Sequence, residues 1–324
     1  MKAIVYTLIT VQFLITSALG ACEKNDTKIT FAPEAKIQEN LKVAGFLATN
    51  YSSNVDGVVY NTDKSIAPND MRVRKNSDSP KFLDAVGRMG ITKENGKKFV
   101  CSGILVGKTR IEDSRIVISS EHCGYGAKGR TSEWKTTTKS GKTIKRKVQK
   151  VLFTDPSVDY AILLLDKKVS HLDVEPLVMG DKDSSVNDIA QEHVGKSFVA
   201  GYSADKELGK NGDVLTYSSG YQVIDILDGI VDEDENGLDV GTMQGFGVAT
   251  AFTYGGASGG AVIVLADTEN GKGEQPYLVG MVRGSVTGDS HTSSNGVGGS
   301  KDTKFVIYKK MYEYTYEEMD KYNK

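Results

Sequence analysis

Three short segments of the 324-residue chain carry side chains that could perform acyl-transfer chemistry together. Arg115-Ile116-Val117-Ile118-Ser119-Ser120-Glu121-His122-Cys123 is a β-like run that delivers a histidine beside a cysteine. Asp155 to Leu165 places Asp159 at the mouth of an apolar strand, where a buried carboxylate requires a partner. Gly255-Gly256-Ala257-Ser258-Gly259-Gly260 sets a serine in a glycine loop that opens into another apolar strand, so that backbone can approach a substrate closely. A serine hydroxyl attacks a carbonyl only when a base takes its proton, and an imidazole serves if a carboxylate fixes its tautomer and stabilises its charged form. His122, Asp159 and Ser258 supply that set, and the amides of Gly256 and Ser258 are expected to receive the oxyanion, each contributing about 3–4 kcal/mol. Alone, His122 reads as a core or surface histidine and Ser258 as a turn residue, and their conjunction carries the reading. His171, His193 and His291 lack the strand-to-cysteine setting and read as surface residues.

Other motifs point to less. Gly124-Tyr125-Gly126-Ala127-Lys128-Gly129 fits the dinucleotide pattern, but no helical run follows and Gln149 stands where an acid is needed. Gly141-Lys142-Thr143 lacks the phosphate-loop glycine at Thr136. Lys135 to Lys150, with Trp134 at its edge, is basic, and two alternating polar strands joined at Ser140-Gly141 explain it as a solvated hairpin. Asp232-Glu233-Asp234-Glu235-Asn236-Gly237 begins like a calcium loop, but Met243 stands at the twelfth position in place of the bidentate glutamate. An exposed acidic turn is the expectation, with Asp232, Asp234 and Asn236 as weak calcium candidates. No organic cofactor is implied.

Strand-like runs between glycine turns must position these residues. They recur at 85–89, 102–106, 115–119, 148–153, 161–165, 198–201, 214–218, 222–226, 261–265 and 278–282, which suggests all-β barrels or a sandwich. Met311, Tyr312, Thr315, Tyr316, Met319 and Tyr322 recur at three- and four-residue steps, so a terminal amphipathic helix is expected over 308–322. With 35 glycines and 6 prolines, turns are abundant without a collagen-like bias, and 39% hydrophobic residues permit a buried core. Forty cations against 42 acids give a net charge of −2, so no global field favours nucleic acid.

Residues 1–21 combine Lys2, an apolar run and small residues, which is an export signal. Leu19-Gly20-Ala21-Cys22 resembles a bacterial lipobox, in which the cysteine is lipidated before cleavage; ordinary cleavage near Ala18 to Gly20 is the alternative. Residues 22–80 are polar and weakly periodic, and read as a tether or pro-segment ahead of a domain over 81–324. The three cysteines are accounted for by a Cys101–Cys123 disulfide and a lipid on Cys22; the alternative is an unpaired thiol or a bridge between copies.

At these residues the chain resembles the trypsin/chymotrypsin-like serine proteases, especially exported bacterial members, over about Phe82 to Tyr322. The order of histidine, aspartate and serine matches, as do the spacings from 122 to 159 and 159 to 258. Cys101-Ser102-Gly103 to His122-Cys123 mirrors the family's disulfide around the histidine loop. Further matches are Pro176-Leu177 in the inter-barrel connection, Ala200-Gly201-Tyr202 in the second barrel and Gly280-Met281-Val282 in the substrate-edge strand. The resemblance implies an all-β fold of two packed six-stranded barrels with a C-terminal α-helix. It also implies a serine endopeptidase acting on peptide or protein substrates, with a specificity pocket at Phe252, Thr253, Arg283, Gly284 and Ser285. The chain departs from the pattern at Ser119-Ser120-Glu121 and at Arg283, where serine or tryptophan is common. Phe252 replaces the aspartate that a preference for Lys or Arg needs. Ala257 replaces the aspartate that receives a freed amino terminus in many relatives. A silent protease-like binding lipoprotein and an esterase are the alternative functions. The expected product is an exported monomer, membrane-anchored through Cys22, or secreted if Cys22 is not lipidated.

Overall fold

A computed structural model of the chain describes residues 70–179, 196–220, 226–231, 242–267, 273–285, 299–306 and 309–323. Cys22, His193, His291 and the acidic turn with Asp232, Asp234 and Asn236 lie outside the described residues. The strands in chain order are β1 (Val73–Arg74), β2 (Val86–Thr92), β3 (Lys98–Gly107), β4 (Ser114–Ser119) and β5 (Thr131–Thr137). β6 (Thr143–Asp155), β7 (Tyr160–Val169), β8 (Leu177–Met179), β9 (Ser197–Gly201) and β10 (Thr216–Ser219) follow. The last are β11 (Ile226–Val231), β12 (Thr242–Tyr254), β13 (Ala261–Asp267), β14 (Glu274–Ser285) and β15 (Gly299–Val306), ahead of helix α1 (Lys309–Tyr322).

The first half closes on itself. β3 pairs with β2 and β4, β2 with β5, β5 with β6, β6 with β7, and β7 with β4, all antiparallel. Closure leaves no free edge in this six-stranded barrel. Its interior holds the large fully buried side chains of Trp134, Met89, Ile104, Ile116 and Ile118. The basic hairpin expected over 135–150 is β5 and β6, joined through Gly141.

The second half is antiparallel in the order β1-β10-β9-β13-β14-β15-β12-β11. β12 also comes into contact with β9 and β14, so the sheet wraps around an interior. Alternation fills that interior. Val262 and Val264 of β13 join Val199, Ala249, Val279 and Val282 in one cluster, while Ala261 and Ile263 face the larger core that spans both halves. β8 ties the halves together by pairing parallel to β3 and to β14. Phe82 meets Phe198 edge to face at 5.0 Å between centroids.

The terminal helix forms where its periodicity places it. Thr315 and Met319 are buried, and Tyr316 and Tyr322 pack against the core. The Thr315 and Tyr160 hydroxyls share a hydrogen bond, and Phe153 stacks on Tyr314. Asn323 accepts from the Arg115 amide and donates to Ser114 and Glu112, fixing the chain end on β4.

Packing is already present at residues 70–80, ahead of residue 81 where the domain was expected to start. Val73 and Arg74 pair with Tyr217 and Thr216. Arg72 is buried between Asp70 and Asp205, and Lys75 forms a buried ion pair with Asp84 at 2.6 Å. Polar composition misleads here because these charges are consumed by one another inside the fold.

Candidate active site

The register of two apolar strands builds the first part of the site. β4 and β7 pair Ile116 with Leu164 and Ser119 with Ala161, so the turn after β4 lies across the residue that opens β7. That turn is the short helical segment Glu121–Cys123. The Cys101–Cys123 disulfide ties it to β3, with Cα atoms 6.5 Å apart. Asp159 accepts from the His122 amide at 2.8 Å through Oδ1 and pairs with His122 Nδ1 at 2.7 Å through Oδ2. The Glu121 amide donates to the Asp159 carbonyl at 3.2 Å. Asp159 holds φ at +55°, a left-handed conformation that Asp adopts more readily than most residues. Its side chain is 5% exposed while that of His122 is 49% exposed, so a buried carboxylate grips a ring whose other face meets solvent.

A second histidine makes the same two contacts without that contrast. His171 meets Asp113 through its amide at 2.9 Å and its Nδ1 at 2.8 Å. Both side chains are partly exposed, and the pair fastens a surface loop ahead of β4. The Asp113 carboxyl lies below its usual range because it accepts from the His171 backbone and ring.

Ser258 lies in the loop between β12 and β13. β13 begins at Ala261, which pairs with Ala200 on one side and Met281 on the other. Ser102 of β3 locks this loop to the first barrel: its amide donates to the Ser258 carbonyl at 2.7 Å and its hydroxyl to the Gly256 carbonyl at 2.9 Å. The Ser102 hydroxyl also accepts from the Tyr202 amide at 2.8 Å. The amides of Ala257, Gly259 and Gly260 donate to Tyr254, Val282 and Ala257. Among the described residues, no protein acceptor takes the amides of Gly256 and Ser258. The Ser258 hydroxyl donates to the Arg283 carbonyl at 3.3 Å, and no hydrogen bond joins it to His122. Ser120, next to the histidine turn, donates to the Val282 carbonyl at 3.2 Å, so both loops meet the same stretch of β14.

Arg283 joins the two parts. Its Nε lies 3.8 Å from Asp159 Oδ2 while its carbonyl receives the Ser258 hydroxyl. Of the expected pocket, Phe252 and Thr253 are buried near the end of β12, Arg283 and Gly284 are half-buried on β14, and Ser285 ends that strand. Two groups behind the site take roles that the sequence did not assign to them. Ser119 donates to the Ser102 carbonyl at 2.6 Å and shares a hydrogen bond of 2.6 Å with the buried Tyr125 phenol. Burial, with a smaller contribution from the Asp159 charge, pushes that phenol well above its ordinary pKa.

Among the described residues, no cluster of His, Cys, Asp and Glu is arranged to hold a metal ion, and no helix is long and apolar enough to cross a membrane. A cavity of about 600 Å³ lined by β2, β3, β5 and β6 contains Arg130, Lys147 and Lys150 but neither His122 nor Ser258.

No protein-family model matches the chain, and no curated protein matches it significantly. Among solved structures it is similar to GrC, with 17% identity, 77% of this chain and 99% of the other covered, and a TM-score of 0.48. It is also similar to a thermostable serine protease AL20 from an extremophilic microorganism, with 14% identity, coverage of 75% and 100%, and a TM-score of 0.47. The protease Anisep from Arthrobacter nicotinovorans gives 16% identity, coverage of 74% and 97%, and a TM-score of 0.46.

Proposed function

We propose that the chain is a serine endopeptidase whose nucleophile is Ser258. The observation that carries this reading is the His122–Asp159 pair: a buried carboxylate fixes Nδ1 as the protonated nitrogen and leaves the Nε2 lone pair free to act as base. Ser258 turns from the Arg283 carbonyl towards Nε2 as substrate arrives, since such contacts often tighten only in the complex. The Ser258 oxygen bonds to the carbonyl carbon while its proton passes to His122, and the carbonyl oxygen gains the negative charge. The amides of Gly256 and Ser258, which have no protein acceptor among the described residues, suit that oxyanion. Collapse breaks the C–N bond as His122 returns its proton to the leaving amine, leaving an acyl ester on Ser258. Water, deprotonated by His122, then hydrolyses the ester and restores the serine.

Phe252 offers no carboxylate to a cationic side chain, which supports cleavage after residues other than Lys and Arg. A disulfide at the histidine turn suits an oxidising compartment, in keeping with export. Treatment with a fluorophosphonate followed by peptide mapping tests the nucleophile. The adduct is expected on Ser258, and its absence from a folded preparation would leave only the silent binding module. Labelling with turnover of esters but no peptides would identify an esterase.

A further inference from the structure

Ala257 cannot pair with a buried ammonium, yet the loop carrying Ser258 is backed by a cation supplied from far earlier in the chain. The Arg72 guanidinium donates through Nε and Nη2 to Asp70, at 3.0 and 2.7 Å, and through Nη1 to Asp205 and Thr216, at 3.1 Å each. Its Cζ lies over the Tyr254 ring, 4.2 Å from the centre. The side chains of Arg72, Asp70 and Asp205 are 2%, 0% and 0% exposed. Such a triad is favourable only while complete, because removing the cation leaves two carboxylates buried and uncompensated.

Two of the Arg72 contacts, Asp205 and Tyr254, adjoin the loop that carries Ser258. Asp205 Oδ1 accepts from the amides of Leu208 and Gly209, which closes the loop after β9. The neighbouring Ala204 amide donates to the Gly255 carbonyl at 2.6 Å. Gly256 lies so close to this segment that a Cβ there would stand 2.6 Å from the Tyr202 carbonyl oxygen, and its φ of +94° favours glycine. On the other side, the Tyr254 carbonyl accepts from the Ala257 amide at 3.0 Å.

We propose that Arg72 is a positioning residue that sets the shape of the Gly255–Gly260 loop, through Asp205 on one side and Tyr254 on the other. The internal side chain does this without a free amino terminus. The inference rests on Ser258 being the nucleophile only where it concerns turnover; the shape of the loop is measurable without any activity.

The test uses the full chain and its Arg72→Met, Arg72→Lys and Asp205→Asn variants. Hydrogen–deuterium exchange over Gly255–Gly260 is measured alongside steady-state kinetics on one peptide. In folded Arg72→Met, exchange in this loop rises at least tenfold while that of β4 and β7 is unchanged. Its kcat falls roughly 100-fold with KM within about threefold, the size of losing one oxyanion donor. Arg72→Lys recovers part of both. Unchanged exchange in the loop, or a uniform rise across the protein with kcat per folded molecule unaltered, would overturn the proposal. If Arg72→Met does not fold, Asp205→Asn decides it: loosening confined to the loop supports the proposal, and wild-type exchange contradicts it. Absence of peptide turnover in the wild type would end the protease reading, while the exchange comparison would still decide the role of Arg72.

Discussion

Asp159 grips His122 twice, through the backbone amide and the ring, and the buried Oδ2 leaves the imidazole little choice of tautomer. Asp159→Asn preserves the shape but presents an amide that can stabilise the wrong tautomer. Peptide turnover should fall by about 10³–10⁴-fold with the folded spectrum retained; a loss smaller than tenfold would mean that the ring is held by something else. His122, Asp159 and Ser258 are marked in the sequence because each stands at the end of an apolar run or inside a glycine loop. Ser102, Tyr125 and Arg72 are not. Ser102 acts on Gly256 and Tyr202 from 154 and 100 residues away, and no local pattern marks a serine for such a task. Arg283 stands out in the sequence as a departure from the family pattern, and the 3.8 Å approach of its Nε places it beside Asp159.

At the scale of elements, β3 and β14 hold the two loops in reach of each other, and Gly259 shows how closely they meet. A Cβ at Gly259 would stand 2.2 Å from the Ser102 carbonyl oxygen and 2.3 Å from Ser119 Oγ, at a φ of +81°. Gly259→Ala is therefore expected to destabilise the fold by at least about 2 kcal/mol, combining backbone strain with displacement of β3. Denaturant titration measures it, and a midpoint equal to wild type would show that the loop can move away. The apolar strands around His122 and Ser258 were legible from their runs. β12 was missed because glycines interrupt its alternation, and β15 because Phe305 and Val306 are its only large apolar residues. β8 is three residues long and read as a connection. The terminal helix was recovered from its stripe and is described over Lys309–Tyr322.

At the scale of the whole molecule, the Cys101–Cys123 disulfide and the buried charges of residues 70–84 brace a fold whose candidate site lies between its halves. Cys101 and Cys123 are 22 residues apart, so replacing both with Ser should cost about 3 kcal/mol and lower Tm by roughly 10 °C. Calorimetry without reductant checks this, and an unchanged Tm would mean that the barrel alone fixes the turn. Composition concealed how early the fold begins, because Asp70, Arg72, Lys75 and Asp84 look solvated until their partners are known. A chain starting at Phe82 would lack β1 and Arg72. The expectation for Cys22 is separate: Cys22→Ser should move the protein from the membrane to the soluble fraction, and unchanged partition would count against lipidation. The most direct test of the central proposal is hydrolysis of an internally quenched peptide library by the folded wild type and by Ser258→Ala. The wild type should cleave internal bonds, chiefly after residues other than Lys and Arg, with turnover at least about 10⁴-fold above that of the variant. Equal cleavage by the two proteins, or none by the wild type, would contradict it.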